Sequence, residues 1–350
     1  MVSGTRRDFL ATGAAVAASS SAIPALAGAV PPARHGATGP PRPWRRIGIR
    51  GPRPSPRSDA AMAAIGTSAY LFGGNTADGA VSDLWRLDVD GGSWSRVDVR
   101  GARPPRRFGH ELLAEPSGTL LAVAGQAGVA FFGDAWRFSP RTRRWRRLGA
   151  AGPAPRYGAG GAVDARGRVY LTHGFTHDGR FDDTWLLERS FREISPPEGR
   201  PQARCLLDAA AVAGRLVVFG GQSDPLPFRD DLWALDLLGG DGWTELTPSQ
   251  RPSARNRYAG APAGRGWYVH GGLTARGPVG DLWRLDIPTA EFEAVATRRP
   301  RPAPRSSHAA TVAGGRLVVF GGNDADGGPL GDTWSLDLRA ARPARRPPRR

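Results

Sequence analysis

The hexapeptide DLWRLD stands at residues 83–88 and again, letter for letter, at residues 281–286. An aspartate two residues before a tryptophan also recurs at four further positions. The full series is Asp83, Asp134, Asp183, Asp231, Asp281 and Asp332, with successive spacings of 51, 49, 48, 50 and 51 residues. The chain therefore contains six repeats of about 50 residues, and a fixed period of this length is typical of a solenoid or a propeller.

A second landmark recurs with the same period. The string GRLVVFGG occupies residues 214–221 and returns at residues 315–322, two repeats later. Weaker versions end at Gly74, Gly125, Gly174 and Gly272. Each repeat contains four short apolar or alternating segments separated by Gly, Asn, Asp and Pro. Short strands at regular spacing with turn residues between them predict an all-β repeat.

Residues 44–338 resemble a kelch-repeat β-propeller. Pro-Arg precedes the first strand, Gly-Gly closes the second, Asp-x-Trp lies in the third, and Trp-x-x-Leu or Trp-x-x-Val forms the fourth. Paired glycines followed by a tryptophan at a period near 50 are typical of that family. The repeats depart from the pattern at Ala124, His173, Phe191 and Phe292. The resemblance implies a six-bladed propeller with four strands in each blade.

The fourth strands show how the ring closes. They begin at Trp44, Trp94, Trp145, Phe191, Trp243 and Phe292. Trp44 precedes every first strand, so residues 44–47 have no partner in the repeat that follows them. We therefore expect this segment to complete the sixth blade beside residues 332–336, which removes the unpaired seam of an open ring.

The termini and the composition set limits on function. Arg6 and Arg7, a weakly apolar Ala/Ser run and Ala25-Leu26-Ala27 resemble a twin-arginine export signal over residues 1–27, which implies a periplasmic, envelope or extracellular protein. The Ala/Ser run is too short to predict a membrane span. Residues 28–43 are predicted to be a Pro/Gly/Ala-rich linker, and residues 339–350 a disordered Pro/Arg-rich tail.

Charge and single residue types exclude several functions. All 48 basic residues are arginine, so chemistry based on lysine is excluded. Of the net charge of +16, residues 51–338 carry only about +4, which argues against nucleic acid as a partner. Cys205 is the only cysteine, so no intramolecular disulfide can form.

A recurring arginine defines the candidate site. One arginine opens each first strand: Arg57, Arg107, Arg156, Arg204, Arg257 and Arg305. Up-down strand order would bring them to one mouth of the channel. Other candidate binding residues near this mouth are Asn75, Gln126, Gln222, Asn323, Tyr157, Tyr258 and His177.

Two interpretations of these arginines remain open. They can pair with acids inside the fold, including Asp59, Asp208 and the Asp-x-Trp carboxylates, which themselves are expected to cap turns or pair with a neighbouring blade. Alternatively, they form an anion-receptive mouth that binds an acidic glycan or an acidic protein segment, because the guanidinium fork suits carboxylate and phosphate. The sequence favours a secreted, monomeric binding module on this basis.

Enzymatic alternatives also follow from resemblance. In copper radical oxidases similar to galactose oxidase, a linked Cys and Tyr stand where Cys205 and Tyr258 stand, and His308 matches a copper ligand. However, Ser307 replaces the second tyrosine, and that family has seven blades and a C-terminal domain. A sialic-acid mutarotase is a further alternative, with His177, His308 and Asp59 as acid/base candidates. No complete catalytic constellation is found, so no cofactor or metal is expected, and copper belongs only to the oxidase alternative.

Overall fold

The computed structural model describes residues 42–48, 51–149, 152–240 and 242–339. These residues form six blades of four antiparallel strands, and the sheet of the sixth blade gains a short parallel strand, so the predicted six-bladed, all-β propeller is confirmed. The predicted signal peptide, the predicted linker up to residue 41 and the predicted tail after Arg339 lie outside the described residues. Within the described ranges, no helix is long and apolar enough to cross a membrane.

Each blade contributes four strands, which run in order from the channel outward in blades 1 to 6. The innermost strands are Ala61–Ile65, Glu111–Glu115, Gly160–Val163, Ala209–Val212, Ala259–Ala263 and Ala309–Ala313. The second strands are Ser68–Phe72, Thr119–Val123, Val169–Thr172, Arg215–Phe219, Gly266–Thr274 and Arg316–Phe320. The third strands are Leu84–Asp88, Ala135–Ser139, Thr184–Leu187, Leu232–Asp236, Gly277–Asp286 and Thr333–Asp337. The outer strands are Ser93–Arg96, Arg144–Arg147, Phe191–Glu193, Trp243–Leu246, Glu291–Ala294 and Arg42–Arg46.

The innermost strands form a closed circle around the channel. Each one contacts the innermost strand of the next blade, and the last contacts the first. Alanine and glycine predominate in these strands because the blades converge on the axis and leave little side-chain volume. The larger apolar side chains of the second and third strands pack between neighbouring blades and form the core.

The N-terminal strand closes the ring as predicted. Arg42–Arg46 pairs antiparallel with the third strand of blade 6, with Trp44 opposite Leu336 and Arg46 opposite Trp334. Its first residues also pair in parallel with Thr297–Arg298. Trp44 is buried in the core of blade 6. The strand begins at Arg42, two residues before the predicted start of the propeller.

The connections between second and third strands lie together on one face, which we call the loop face. In blades 1 to 3 they form short hairpins: Asn75–Thr76 with Gly79–Ala80, Gln126–Ala127 with Ala130–Phe131, and Phe175–Thr176 with Gly179–Arg180. In blade 5 the second and third strands themselves extend through this region with a register shift between His270 and Gly272. The loop face surrounds the channel entrance at which the innermost strands begin.

Candidate functional site

A buried arginine precedes the innermost strand of every blade. Each donates a hydrogen bond to both carboxylate oxygens of the Asp-x-Trp aspartate, which follows it by 26 or 27 residues. In blade 5, Arg255 Nη1 lies 2.7 Å from Asp281 Oδ1, and Nη2 lies 2.9 Å from Oδ2. The six pairs are Arg57–Asp83, Arg107–Asp134, Arg156–Asp183, Arg204–Asp231, Arg255–Asp281 and Arg305–Asp332. All six arginines are at most 1% exposed.

Each of these arginines also joins two blades. The amide of Arg107 donates to the carbonyl of Val81, and its own carbonyl accepts from the amide of Gly74, both in blade 1. Its side chain meanwhile donates to Asp134 and to the carbonyl of Ala124 in blade 2. The other five arginines repeat this arrangement. We therefore call the six Arg–Asp pairs the inter-blade clamps.

The clamps explain the two sequence landmarks. The indole Nε1 of Trp136 donates to Asp134 Oδ2 at 2.7 Å, and all six Asp-x-Trp tryptophans make this bond. A Cβ added to Gly73, the first glycine of the pair in blade 1, would lie 2.5 Å from the carbonyl oxygen of Arg107. Gly73 also has a φ of +62°, which favours glycine. The Gly-Gly and Asp-x-Trp motifs are therefore two sides of one inter-blade contact.

The electrostatics of the clamps are balanced within the fold. Burial by itself would raise the pKa of Asp183, but hydrogen bonds from Arg156 and its charge outweigh burial and hold the pKa below its usual value. The other five aspartates behave in the same way. The structure thus supports the internal pairing of these buried arginines.

The sequence prediction is wrong about one member of the series. It assigns Arg257 to blade 5, whereas the clamp in that blade uses Arg255. The Arg-to-Asp spacing is the signal that distinguishes the two, because Arg257 precedes Asp281 by only 24 residues. Arg257 instead lies at the channel mouth, two residues after the clamp arginine.

The mouth is formed by one residue from each blade. Two residues after each clamp arginine, the chain adopts a left-handed conformation with φ between +50° and +61°. Each of these amides donates to the carbonyl of the equivalent residue in the preceding blade, at 2.7 to 3.0 Å, and the first blade donates to the sixth. The six residues are Asp59, Gly109, Gly158, Leu206, Arg257 and Ser307. They form a closed circle of backbone hydrogen bonds, which we call the mouth ring.

Four polar side chains meet at the mouth ring. Arg257 Nη1 donates to Ser307 Oγ at 3.3 Å and lies 3.9 Å from Asp59 Oδ1. The hydroxyl of Tyr157 donates to the same Asp59 oxygen at 3.3 Å. Burial and the charge of Asp59 raise the pKa of Tyr157 well above its usual value, so the hydroxyl keeps its proton. Arg257 thus belongs to the mouth ring and takes no part in an inter-blade clamp.

A cavity of about 310 Å³ lies in the channel below the mouth ring. Its walls are the small side chains of the innermost strands, with Glu111 and Asp208 among them. Burial, followed by the negative charge of Asp208, raises the pKa of Glu111 well above its usual range. Burial also raises the pKa of Asp208 to about 6, although the amide of Gly260 opposes this. Two carboxyls that already resist ionisation disfavour an anionic ligand inside the channel.

The other predicted site residues divide into two groups. Four of them follow the paired glycines and pair with the residue after a clamp arginine: Asn75 with Ser58, Gln126 with Phe108, Gln222 with Cys205, and Asn323 with Ser306. They therefore surround the mouth, as expected. Tyr258, by contrast, is buried and donates its hydroxyl to the carbonyl of Phe219 at 2.7 Å, so its hydrogen bond is used inside the fold.

The sequence did not predict an apolar surface that lies on blades 2 and 3. Phe131 and Phe175 lie on adjacent hairpins with ring centroids 5.7 Å apart, and Val129 at the hairpin tip is 78% exposed. Phe108 packs against Tyr157 beside them. The predicted residue His177 lies edge-on to Phe131 at 4.8 Å, and its Nε2 is 3.2 Å from the carbonyl of Val129. We call these five residues, Phe108, Val129, Phe131, Phe175 and His177, the loop-face patch.

The oxidase residues are not brought into one site. Cys205 packs with Tyr157 and Leu206, whereas Tyr258 packs between Phe219 and Trp267. His308 Nε2 lies 2.9 Å from Nδ1 of the buried His270. Among the residues that the structure describes, no three His, Cys, Asp or Glu side chains are grouped to hold a metal ion.

Comparison with known proteins agrees with this geometry. The family model described as the KLHDC2/KLHL20/DRC7 Kelch-repeats domain matches residues 40–156, 149–322 and 241–347, and so covers all six blades.

Among curated relatives, the chain is 28% identical over 246 residues to an acyl-CoA-binding domain-containing protein 4 of Arabidopsis thaliana, which is 65% of this chain and 36% of that protein. It is 30% identical over 241 residues to an Adagio-like protein 1 of Oryza sativa subsp. japonica, covering 64% and 37%. It is 26% identical over 253 residues to a Kelch domain-containing protein 10 of Xenopus tropicalis, covering 66% and 59%. The matched region thus spans about a third of the first two relatives and under two thirds of the other.

Proposed function

Because the chain belongs to the Kelch-repeat family, whose propellers generally serve as protein-interaction modules, we propose that it binds a partner protein through its loop-face patch. The observation that carries this proposal is the apolar surface of Phe131, Phe175 and the 78% exposed Val129 beside a polar channel mouth. Half-buried aromatic side chains beside an exposed apolar residue and polar groups are typical of the anchors that dominate protein interfaces.

The patch is confined to part of the loop face. At the position of Phe131, three residues before the Asp-x-Trp aspartate, blades 1, 5 and 6 carry Ala80, Pro278 and Pro329. In blade 4, Leu226 is 53% exposed and extends the apolar surface. The apolar surface of the loop face that a partner could bind therefore lies on blades 2 to 4.

The partner segment should combine apolar and acidic groups. Arg257 lies over the mouth ring and is not committed to a clamp, and Arg180 on the blade 3 hairpin forms an ion pair with the exposed Asp224. A carboxylate on the partner can approach Arg257 from the loop face, where it avoids Glu111 and Asp208 in the channel. An acidic protein segment with an apolar anchor thus fits the geometry better than an acidic glycan, which would leave the aromatic patch uncovered.

Selection of binding peptides tests the proposal. Peptides from a random display library are selected on the purified propeller, and their affinities are compared for Val129→Glu/Phe131→Glu and for a control variant, Ala77→Glu/Ala275→Glu, on exposed tips of other blades. We expect the patch variant to lose at least tenfold in affinity and the control to lose less than twofold. Equal losses in both variants, or a failure to select any peptide, would refute the proposal.

The place of action follows from the predicted export signal. We propose that the protein works outside the cytoplasm, because residues 1–27 resemble a twin-arginine signal. Cell fractionation of the wild-type protein and of an Arg6→Lys/Arg7→Lys variant tests this. The wild type should appear in the exported fraction and the variant should stay in the cell.

A further inference from the structure

The outer rim of the propeller divides into a basic half and an acidic half. Opposite the Asp-x-Trp tryptophan, the outer strand carries Arg46, Arg96 and Arg147 in blades 6, 1 and 2. The same position carries Glu193, Glu245 and Ala294 in blades 3, 4 and 5. Blades 6, 1 and 2 are neighbours in the ring, so the basic residues lie on three successive outer strands.

The basic edge is densest on blade 2. Its outer strand reads Arg-Trp-Arg-Arg, and Arg144, Arg146 and Arg147 are exposed while Trp145 is buried. Arg146 faces Arg137 across the strand pair, and the charge of Arg137 is balanced by Glu115. Together with Arg45, Arg46 and Arg96 these exposed residues define the arginine rim.

The charge of the arginine rim on blade 2 is only partly compensated: although burial opposes the shift, Arg147 adds to the larger effect of Arg107 in lowering the pKa of Asp134. Arg137 is paired with Glu115 at 2.6 Å, and Arg143 with the exposed Asp98 at 3.5 Å. Within the described residues, no carboxylate lies within 4.0 Å of the guanidinium groups of Arg144, Arg146 or Arg147. Uncompensated arginines of one sign attract an anionic partner and repel one another without it.

The shape and chemistry of the rim limit the class of anion. The rim follows the convex outside of the ring, so a flat membrane or a stiff nucleic-acid duplex would touch it over one blade only. Trp44, Trp94 and Trp145 of the three outer strands are all buried, so no aromatic face is available for stacking the bases of a single strand. A flexible acidic chain without bases is the partner that can follow this edge.

The edge of the blade 2 sheet favours a polypeptide. Arg144–Arg147 is the last strand of its sheet among the described residues. Arg100 meets it at a single parallel bridge, with its amide donating to the carbonyl of Arg143 at 2.8 Å. An extended polypeptide can add to such an edge through backbone hydrogen bonds, which a glycan cannot do. We propose that the arginine rim binds a flexible, acidic polypeptide segment that runs along the outer strand of blade 2.

This surface goes beyond the loop-face patch and can be occupied independently of it. It adds a second surface for an acidic segment, away from the mouth, where five of the six arginines that the sequence predicted as an anion site are held in the clamps.

Fluorescence anisotropy with a labelled Glu-rich peptide of 12 residues tests the proposal on the purified propeller. The variant is Arg144→Glu/Arg146→Glu, and the control is Arg192→Glu, because Arg192 holds the position equivalent to Arg146 on the outer strand of blade 3. We expect the double variant to lose at least tenfold in affinity and the control less than twofold. Binding should also weaken steeply with added salt. Arg144→Gln/Arg146→Gln should show an intermediate loss, and thermal melting should confirm that every variant is folded.

Three outcomes would overturn the proposal. The first is a wild-type propeller that does not bind the peptide at low salt. The second is equal binding of hyaluronate, or of single-stranded or duplex DNA, at the same charge concentration, because the rim would then recognise charge and not polypeptide. The third is a double variant that keeps its affinity for the peptide, in which case the site lies elsewhere.

Discussion

Arg255 and Arg257 stand two residues apart in blade 5, yet they belong to different parts of the molecule. Arg255 is fully buried in a clamp, and every blade has its equivalent. Arg257 lies in the mouth ring, where the six equivalent positions hold five different residue types. Residues that are identical in all six repeats, such as the clamp arginines, hold the fold together. Positions that differ from blade to blade, such as those of the mouth ring, can give this propeller its own binding properties.

The largest expected difference in stability is between replacing an aspartate of a clamp and replacing the aspartate of the mouth ring. Asp183→Asn leaves the buried guanidinium of Arg156 without its counter-charge, and we expect a loss of about 3–5 kcal/mol in the free energy of unfolding. Asp59→Asn weakens a 3.9 Å contact with Arg257 and keeps an oxygen that can accept from Tyr157, so it should cost less than about 1 kcal/mol. Chemical denaturation measures both values. Similar losses of stability in the two variants would contradict the distinction between the clamps and the mouth ring.

A second test uses a buried histidine between the blades. His110 packs against Phe72, and burial, followed by the charge of Arg107, lowers its pKa to about 3. Since the pKa in the unfolded chain is about 6.5, folding keeps the ring neutral, and stability falls as the pH drops from about 6.5 towards 3. At pH 5 this costs about 2 kcal/mol.

The variant His110→Leu sharpens this test, because Leu207 stands at the equivalent position of blade 4. We expect its stability to decline less than that of the wild type between pH 6.5 and pH 5, as measured by denaturation at each pH. Identical declines in the two proteins would show that His110 does not supply the acid sensitivity.

A smaller effect is expected in the channel. The pKa of Asp208 is about 6, above its ordinary value of 3.8, so the folded state disfavours its charge. The resulting penalty is absent below pH 3.8 and complete above about pH 6. Asp208→Asn should therefore raise the midpoint of thermal unfolding at pH 8 and leave it nearly unchanged at pH 4.

Glu111 provides a check on this interpretation. Because Asp208 contributes to the raised pKa of Glu111, Asp208→Asn and Glu111→Gln should each relieve part of the same repulsion. The gain of the double variant at pH 8 should be smaller than the sum of the two single gains. Full additivity would mean that the two carboxyls do not interact.

The fold could be predicted from the sequence because its determinants repeat. Asp-x-Trp and Gly-Gly appear in every blade or nearly so, and Trp44 could be identified as the closing strand because it has no partner in its own repeat. The way each clamp joins two blades could not be predicted, since it depends on where the backbone and the side chain of one arginine point. The constant spacing of 26 or 27 residues to the aspartate would have identified Arg255.

The candidate site could be predicted only in part. The residues after the paired glycines, such as Gln126 and Asn323, were correctly placed around the mouth. The mouth ring itself escaped prediction because its members share a backbone conformation and not a residue type. The loop-face patch left one weak signal in the sequence: Phe131 and Phe175 stand at positions where blades 1, 5 and 6 have smaller or polar residues.

The measurement that tests the account most directly compares Arg255→Ala with Arg257→Ala in thermal unfolding and in binding of a peptide selected on the loop face. The account predicts that Arg255→Ala sharply lowers the unfolding midpoint because it leaves the carboxylate of Asp281 without its counter-charge. Arg257→Ala should melt like the wild type and bind the peptide more weakly. A stable Arg255→Ala variant, or an Arg257→Ala variant that unfolds as easily as Arg255→Ala, would contradict it.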